Sequence, residues 1–257
     1  MRPPLVLAYH GLASLPRALD PHNLMLEPTR FRRQMDTLKR RGYQFITLSA
    51  LVGELERGDR PPDGVCALTF DDGTVDNIEV LAPLLAELGT PATVFACPGL
   101  LGTPHFDMPR SAHVRLMDAD QLRELASSPL VEIGSHTNAH TDLSATTAEE
   151  AYHEMATSKD ALEQLLQLPV GSFAYPKCGY SASCPEAARR AGYSVAVTCG
   201  GHGGWRPFEL ARESIDALDG RATFALMSRG LFRPLRDSAP GRAARALARP
   251  VRHRAGR

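Results

Sequence analysis

The feature that most limits what this chain can fold into is a repeating change of period. Short apolar runs, "LVLAYH" (Leu5–His10), "QFITL" (Gln44–Leu48), "VCALTF" (Val65–Phe70), "ATVFAC" (Ala92–Cys97), "VEIGS" (Val131–Ser135), "GSFAYP" (Gly171–Pro176) and "SVAVTC" (Ser194–Cys199), alternate with longer segments of helical spacing. In the segment after Asp76, for example, Ile78, Leu81, Leu84, Leu85 and Leu88 recur at three- and four-residue steps and Gly89 stands at the expected stop. Further helices are expected over 28–41, Ser49–Arg57, 119–126, Glu149–Leu168 and 185–192, and Thr146 with Glu149 has capping-box spacing. Strand, helix, strand units of this kind build parallel sheets. The expectation is an α/β fold, barrel-like or open, with six or seven strands.

At 257 residues and 43% hydrophobic content, the chain suffices for one large domain. Lys plus Arg equals Asp plus Glu at 29 each, so overall charge gives no argument for a nucleic-acid partner. The balance is uneven: from Arg229 onward nine arginines face one acid, Asp237. A catalytic domain over 1–230 followed by a basic tail over 231–257 is expected, the tail either disordered and solvated or attracted to an anionic membrane. Five cysteines without CxxC pairing argue against a disulfide framework and for buried free thiols. The apolar run at the start is short for a signal peptide, and no segment has the length of a membrane span, which makes a cytoplasmic protein the expectation. The connection from Pro98 to Met117 is long for a compact domain, and such loops are functional or mobile.

In parallel α/β folds the loops leaving the carboxyl ends of the strands converge on one face. Four polar groups stand at such ends: His10, Asp71 with Asp72, His136 with His140, and the "YPKCG" turn. Two adjacent carboxylates after an apolar strand need a partner for their charge. A surface turn would supply it, and so would a cation. If "SHTNAH" forms a turn of helix, His136 and His140 share a side and reach one ion. Two imidazoles and a carboxylate suit a zinc-type divalent ion, with Asp72 as third ligand and Asp71 left as a base beside activated water. Taken singly, Asp-Asp-Gly is an ordinary turn, HxxxH a chance spacing and His10 a core histidine; their joint placement is the signal.

"TFDDG" (Thr69–Gly73), "SHTNAH" (Ser135–His140) and "FAYPKCGYS" (Phe173–Ser181) resemble the first three motifs of the polysaccharide deacetylases with a NodB-homology domain, over roughly Leu5 to Asp216. The resemblance implies a distorted (β/α) barrel of about seven parallel strands. It implies Asp71 as general base, and Asp72, His136 and His140 as ligands of one divalent ion, Zn2+ first. It implies Tyr175, Pro176, Lys177 and Gly179 along the substrate groove, the Lys177 amide being the oxyanion donor. The arginine that many relatives carry shortly before that proline is replaced here by Ala174 and Tyr175, so Arg212 in "FELARESID" is expected to pair with Asp71, against a surface pairing with Glu209 or Glu213. No histidine occurs in "RATFALMSRGLF", where many relatives have their general acid. The "LAYHG" segment is similar to the early Tyr-His of the poly-N-acetylglucosamine deacetylase branch, which points to His10 as the acid, with His202 as competitor. The implied activity is N-deacetylation of an amino-sugar glycan or lipid-linked precursor. The alternatives are hydrolysis of a cyclic imide, ureide or formyl amide on the same scaffold, or glycan binding without catalysis.

Overall fold

The computed structural model describes residues 3–58, 61–108, 114–199 and 205–232. His202 and the tail from residue 233 onward lie outside them.

Eight strands, β1 (Leu5–Tyr9), β2 (Gln44–Ile46), β3 (Val65–Phe70), β4 (Ala92–Ala96), β5 (Val131–Ser135), β6 (Ser172–Ala174), β7 (Val195–Cys199) and β8 (Leu210–Ser214), pair in parallel throughout. Strand β1 bonds both β3 and β8, so β1, β3, β4, β5, β6, β7 and β8 close into a seven-stranded barrel. The eighth strand, β2, shares the edge of β3 with β4: residues 65–67 pair with β2, and 69–70 with β4. Closure leaves no free edge in the barrel. The expectation of about seven strands thus describes the barrel, reached with a different membership. Strand β8 was not expected, because its sequence "LARES" puts an arginine and a glutamate where an apolar run would be sought.

Alternate strand residues face two apolar layers, which is why the strands read as continuous apolar runs. The outer layer joins Leu5, Leu7, Cys66, Leu68, Val94 and Ala196 to the helices α1 (Pro28–Arg40), α3 (Ala82–Leu88), α4 (Ala119–Ala126), α5 (Ala148–Leu166), α6 (Cys184–Arg190) and α7 (Arg221–Met227). The inner layer is Val6, Val65, Ala67, Phe95, Ala174, Val195, Val197 and Leu210, with Leu48, Leu51 and Val52 of α2 (Leu48–Arg57) packed against it.

Helix starts follow local chemistry with small offsets. The capping box on α5 uses Thr147 and Glu150, one residue beyond the expected Thr146 and Glu149, and such a cap contributes about 1 kcal/mol. The segment after Asp76 opens as a π-turn over Asn77–Leu81 before α3, with Gly89 left-handed at its end. Pro83 enters at the junction, one residue into α3, where the π-turn ahead of it already departs from the i→i−4 ladder that a proline cannot join.

Two of the five cysteines correct the free-thiol expectation. Cys178, after β6, is disulfide-bonded to Cys199 at the end of β7, while Cys66, Cys97 and Cys184 are free and buried. Adjacent parallel strands bring their exit loops together, a proximity that the separation of 21 residues conceals. Thiol titration of the denatured, unreduced protein is expected to find three reactive groups; five would show the bridge unformed.

Gly134 in β5 makes room for the Phe95 ring: a Cβ there would stand 2.5 Å from two of its carbons and 3.0 Å from the Ser172 carbonyl oxygen. Overpacking of this kind costs about 1–3 kcal/mol. Gly134→Ala is expected to lower the urea midpoint accordingly, and an unchanged midpoint would mean that Phe95 can turn aside.

Candidate active site

The barrel mouth is built from tight turns that only unusual backbone allows. After β3, Asp72 (φ 72°) and Gly73 (φ 70°) are both left-handed, which reverses the chain and turns the two aspartates apart. After β5, Thr137 (φ 61°) and His140 (φ 55°) are left-handed as well, so His136–His140 is a turn and not the expected piece of helix. The histidines converge nonetheless. Nε2 of His136 lies 3.6 Å, and Nε2 of His140 3.5 Å, from Oδ1 of Asp72.

Those distances are too long for hydrogen bonds. They are close to the separation, roughly 3.3 Å, of ligand atoms that share a tetrahedral ion at bonds of about 2.0–2.1 Å. Three further observations test the fit. Asp72 Oδ1 is buried without a hydrogen-bond partner among the described residues. Nδ1 of His136 donates to the Ala174 carbonyl at 2.7 Å, which leaves Nε2 with its lone pair toward Asp72, the arrangement usual for a ligating imidazole. Burial, and then the neighbouring His136, push the His140 imidazolium down to about 3, so that ring is neutral at physiological pH, as ligation requires. Asp72, His136 and His140 therefore form a group that could hold a metal ion.

Asp71 has a different partner. Burial, the largest single influence, raises its carboxyl, but the Arg212 guanidinium, together with His136 and His10, holds it below the usual carboxylate range. Nη1 donates to Oδ1 at 2.6 Å and Nη2 to Oδ2 at 2.8 Å, a bidentate pair between side chains that are almost wholly buried. Arg212 also donates to Thr69 Oγ1 at 2.9 Å and to the Thr198 carbonyl at 3.2 Å, and its guanidinium lies 5.6 Å from the centre of the Phe95 ring.

His10 follows β1, whose Tyr9 pairs with Phe70, and so stands beside the aspartate turn; the Tyr9 carbonyl accepts the Asp71 amide. Its backbone is held by Asn77, whose Nδ2 donates to the His10 carbonyl, while Asp76 accepts the Leu12 amide at 2.6 Å. The turn after β6 differs from the expectation in two places. Tyr175 is not in the groove: its ring is fully buried, stacked on Tyr180, with its hydroxyl donating to the Phe208 carbonyl. The amide of Gly179 donates to the Pro176 carbonyl, and its missing Cβ lets Asp142 Oδ1 approach, so this residue shapes the turn. Pro176 is buried, and Lys177 is exposed and left-handed (φ 54°). A cavity of about 400 Å³ between α1 and α7 contains none of these residues.

One buried residue at the site escaped the sequence reading. His105 Nε2 lies 3.1 Å from Oδ2 of Asp72. The signal was a histidine inside the long Pro98–Met117 connection, which spacing alone does not relate to the aspartates.

Breaking a buried pair by removing one partner costs about 3–5 kcal/mol. Arg212→Ala is expected to destabilise by that amount at neutral pH. Asp71 is held below its unfolded value, so its contribution is complete above about 3.9 and is lost as pH falls through the folded value. The deficit of Arg212→Ala in thermal midpoint should therefore shrink as pH falls toward 3, and a deficit independent of pH would reassign Arg212 to packing.

A sequence profile described as polysaccharide deacetylase matches residues 58–196. YxkH of Bacillus subtilis (strain 168), named as a polysaccharide deacetylase, is 28% identical over 193 residues, covering 75% of this chain and 63% of that protein. The poly-beta-1,6-N-acetyl-D-glucosamine N-deacetylase of Escherichia coli (strain K12) is 30% identical over 144 residues, 53% of this chain and 21% of that protein. The chain thus spans less than two thirds of either relative. The deacetylase PplD of Streptococcus pyogenes, solved in complex with acetate, superposes with a TM-score of 0.70 at 25% identity, over 85% of this chain and 94% of that one. With its profile match extending over more than half of its length, and its aspartate and histidine turns meeting at the mouth of a parallel barrel, the chain belongs to the polysaccharide deacetylase family.

Proposed function

We propose that this protein is a metal-dependent N-deacetylase that releases acetate from an N-acetylated amino sugar, N-acetylglucosamine in a glycan or a lipid-linked precursor. The observation that carries the reading is the convergence of one ligand atom each from Asp72, His136 and His140, all within 4.8 Å of one another, beside a carboxylate pinned by Arg212. The substrate class is supported by the family and by the name of the Escherichia coli relative. Acetate in the PplD complex is the acyl product that such a reaction would leave.

A divalent ion held by Asp72, His136 and His140, zinc being the best match to two imidazoles and one carboxylate, would polarise the acetyl carbonyl and bring a water toward a pKa of about 7. The remaining chemistry belongs to the chain. Asp71, kept ionised by Arg212, accepts the proton of the attacking water. Both its oxygens are bonded to one guanidinium, so its orientation is fixed before substrate arrives. The Lys177 amide, on the turn after β6, donates to the oxygen on which negative charge develops. His10, at the end of β1, protonates the departing amine.

The assay is acetate release from N-acetylglucosamine oligomers by protein stripped with a chelator and then resupplied with Zn2+. Asp71→Asn is expected to lower turnover about 10²–10⁴-fold while retaining Zn2+, because it removes the proton acceptor and leaves the ligands. Activity that survives stripping, or an Asp71→Asn variant at wild-type rate, would sink the reading. His10→Ala should remove the high-pH limb of the rate profile and His202→Ala should not; the reverse result would move the acid to His202.

The cytoplasmic expectation and the Cys178–Cys199 bridge pull in opposite directions, since disulfides persist in oxidising compartments. We read the bridge as favouring an oxidising compartment.

A further inference from the structure

The described arms of the long connection after β4, residues 98–108 and 114–117, are built as a brace. Its outgoing and returning arms pair with each other: Leu116 N–H donates to the Thr103 carbonyl, His105 N–H to Val114 and Gly102 N–H to Met117, at 2.9–3.1 Å. The returning arm also pairs with the aspartate turn, Met117 N–H on Gly73 and Val75 N–H on Arg115, both at 2.9 Å. At its start, Gly99 N–H donates to the Asn138 carbonyl inside the histidine turn at 2.9 Å, and a Cβ at Gly99 would stand 2.7 Å from that oxygen. One segment therefore ties together the two turns that carry Asp72, His136 and His140.

From this brace His105 projects, fully buried, onto Asp72. Its Nδ1 accepts the backbone N–H of Asp107 at 3.2 Å, so in the neutral ring the proton sits on Nε2, and Nε2 donates to Oδ2 of Asp72 at 3.1 Å. The other oxygen, Oδ1, faces Nε2 of His136 and of His140 and has no hydrogen bond among the described residues. Phe106, the next residue, stacks on His140 with ring centres 3.9 Å apart. Each of the three side chains is thus oriented by something outside the set: His136 by the Ala174 carbonyl, His140 by Phe106 and Asp72 by His105.

We propose that His105 is a positioning residue which, through its Nε2–H bond to Oδ2, presents Oδ1 of Asp72 to the metal. This rests on the reading of Asp72, His136 and His140 as metal ligands. Outer partners of this kind change metal affinity about 10- to 100-fold when removed.

Two substitutions separate this role from a merely structural one. In His105→Gln the amide nitrogen stands near the place of Nε2 and keeps a donor for Asp72, while the acceptor for the Asp107 amide is lost. In His105→Asn the acceptor near Nδ1 is kept and the donor to Asp72 is lost. Stripped protein is titrated with Zn2+ against a chromophoric chelator, and circular dichroism of the metal-free proteins reports folding. His105→Gln is expected near wild-type affinity and His105→Asn about 10- to 100-fold weaker. Equal losses in both, or wild-type affinity in His105→Asn, would overturn the role of His105 while leaving the metal site standing. A wild-type protein that fails to bind Zn2+ would overturn the metal site and this proposal together. Should either variant not fold, the long-range 1H–15N spectrum of the wild type decides: an Nε2–H tautomer at His105 is expected, and an Nδ1–H tautomer excludes the bond to Asp72.

Discussion

The mouth of this barrel depends on one buried ion pair, Asp71 with Arg212. Taking both charges out of water costs several kcal/mol per ion, which only complete hydrogen bonding offsets. Arg212 meets that condition by spanning three strands: Thr69 in β3 with Asp71 just after it, the Thr198 carbonyl from β7, and its own β8. The pair is therefore possible only if β1 accepts β3 on one side and β8 on the other and so closes the ring. Barrel closure and the state of the Asp71 carboxylate are the same requirement seen from two ends of the chain.

The two adjacent aspartates divide their work because the backbone separates them. Asp71 continues the line of β3 toward Arg212, and the left-handed turn at Asp72 sends the next carboxylate toward the histidines. One carboxylate is satisfied by a fixed cation of the protein. The other keeps an oxygen with no hydrogen-bond partner among the described residues. A pair of acids in sequence thus becomes two acids with unlike surroundings, which is how neighbouring groups acquire unlike chemistry.

Much of this was legible in the sequence, because period changes mark the strands and helices and because the motif residues stand at strand ends. Legibility failed where tertiary partners override local pattern. Strand β8 is hidden by Arg212, a charge that is apolar in effect only because Asp71 and Phe95 lie against it. The disulfide joins cysteines far apart in sequence whose proximity follows from the order β6 next to β7. The histidine pair converges from a turn, so helical spacing was the wrong reason for a correct pairing. Tyr175 sits within the third motif, yet its aromatic ring packs inward, which the motif pattern does not encode. His105 was visible only as a histidine in the long connection, since its relation to Asp72 arises from backbone pairing between that connection and the aspartate turn.

Among the described residues seven other than glycine adopt positive φ, and five of them, Asp72, Thr137, His140, Lys177 and Cys178, lie in the three turns at the mouth. Each costs about 1–3 kcal/mol relative to relaxed backbone. Selection of this chain for heat tolerance alone would be drawn to these positions, where relief is largest. Hardier progeny would emerge there with blunted turnover, so improvement is better sought on the outer helices, away from the rim.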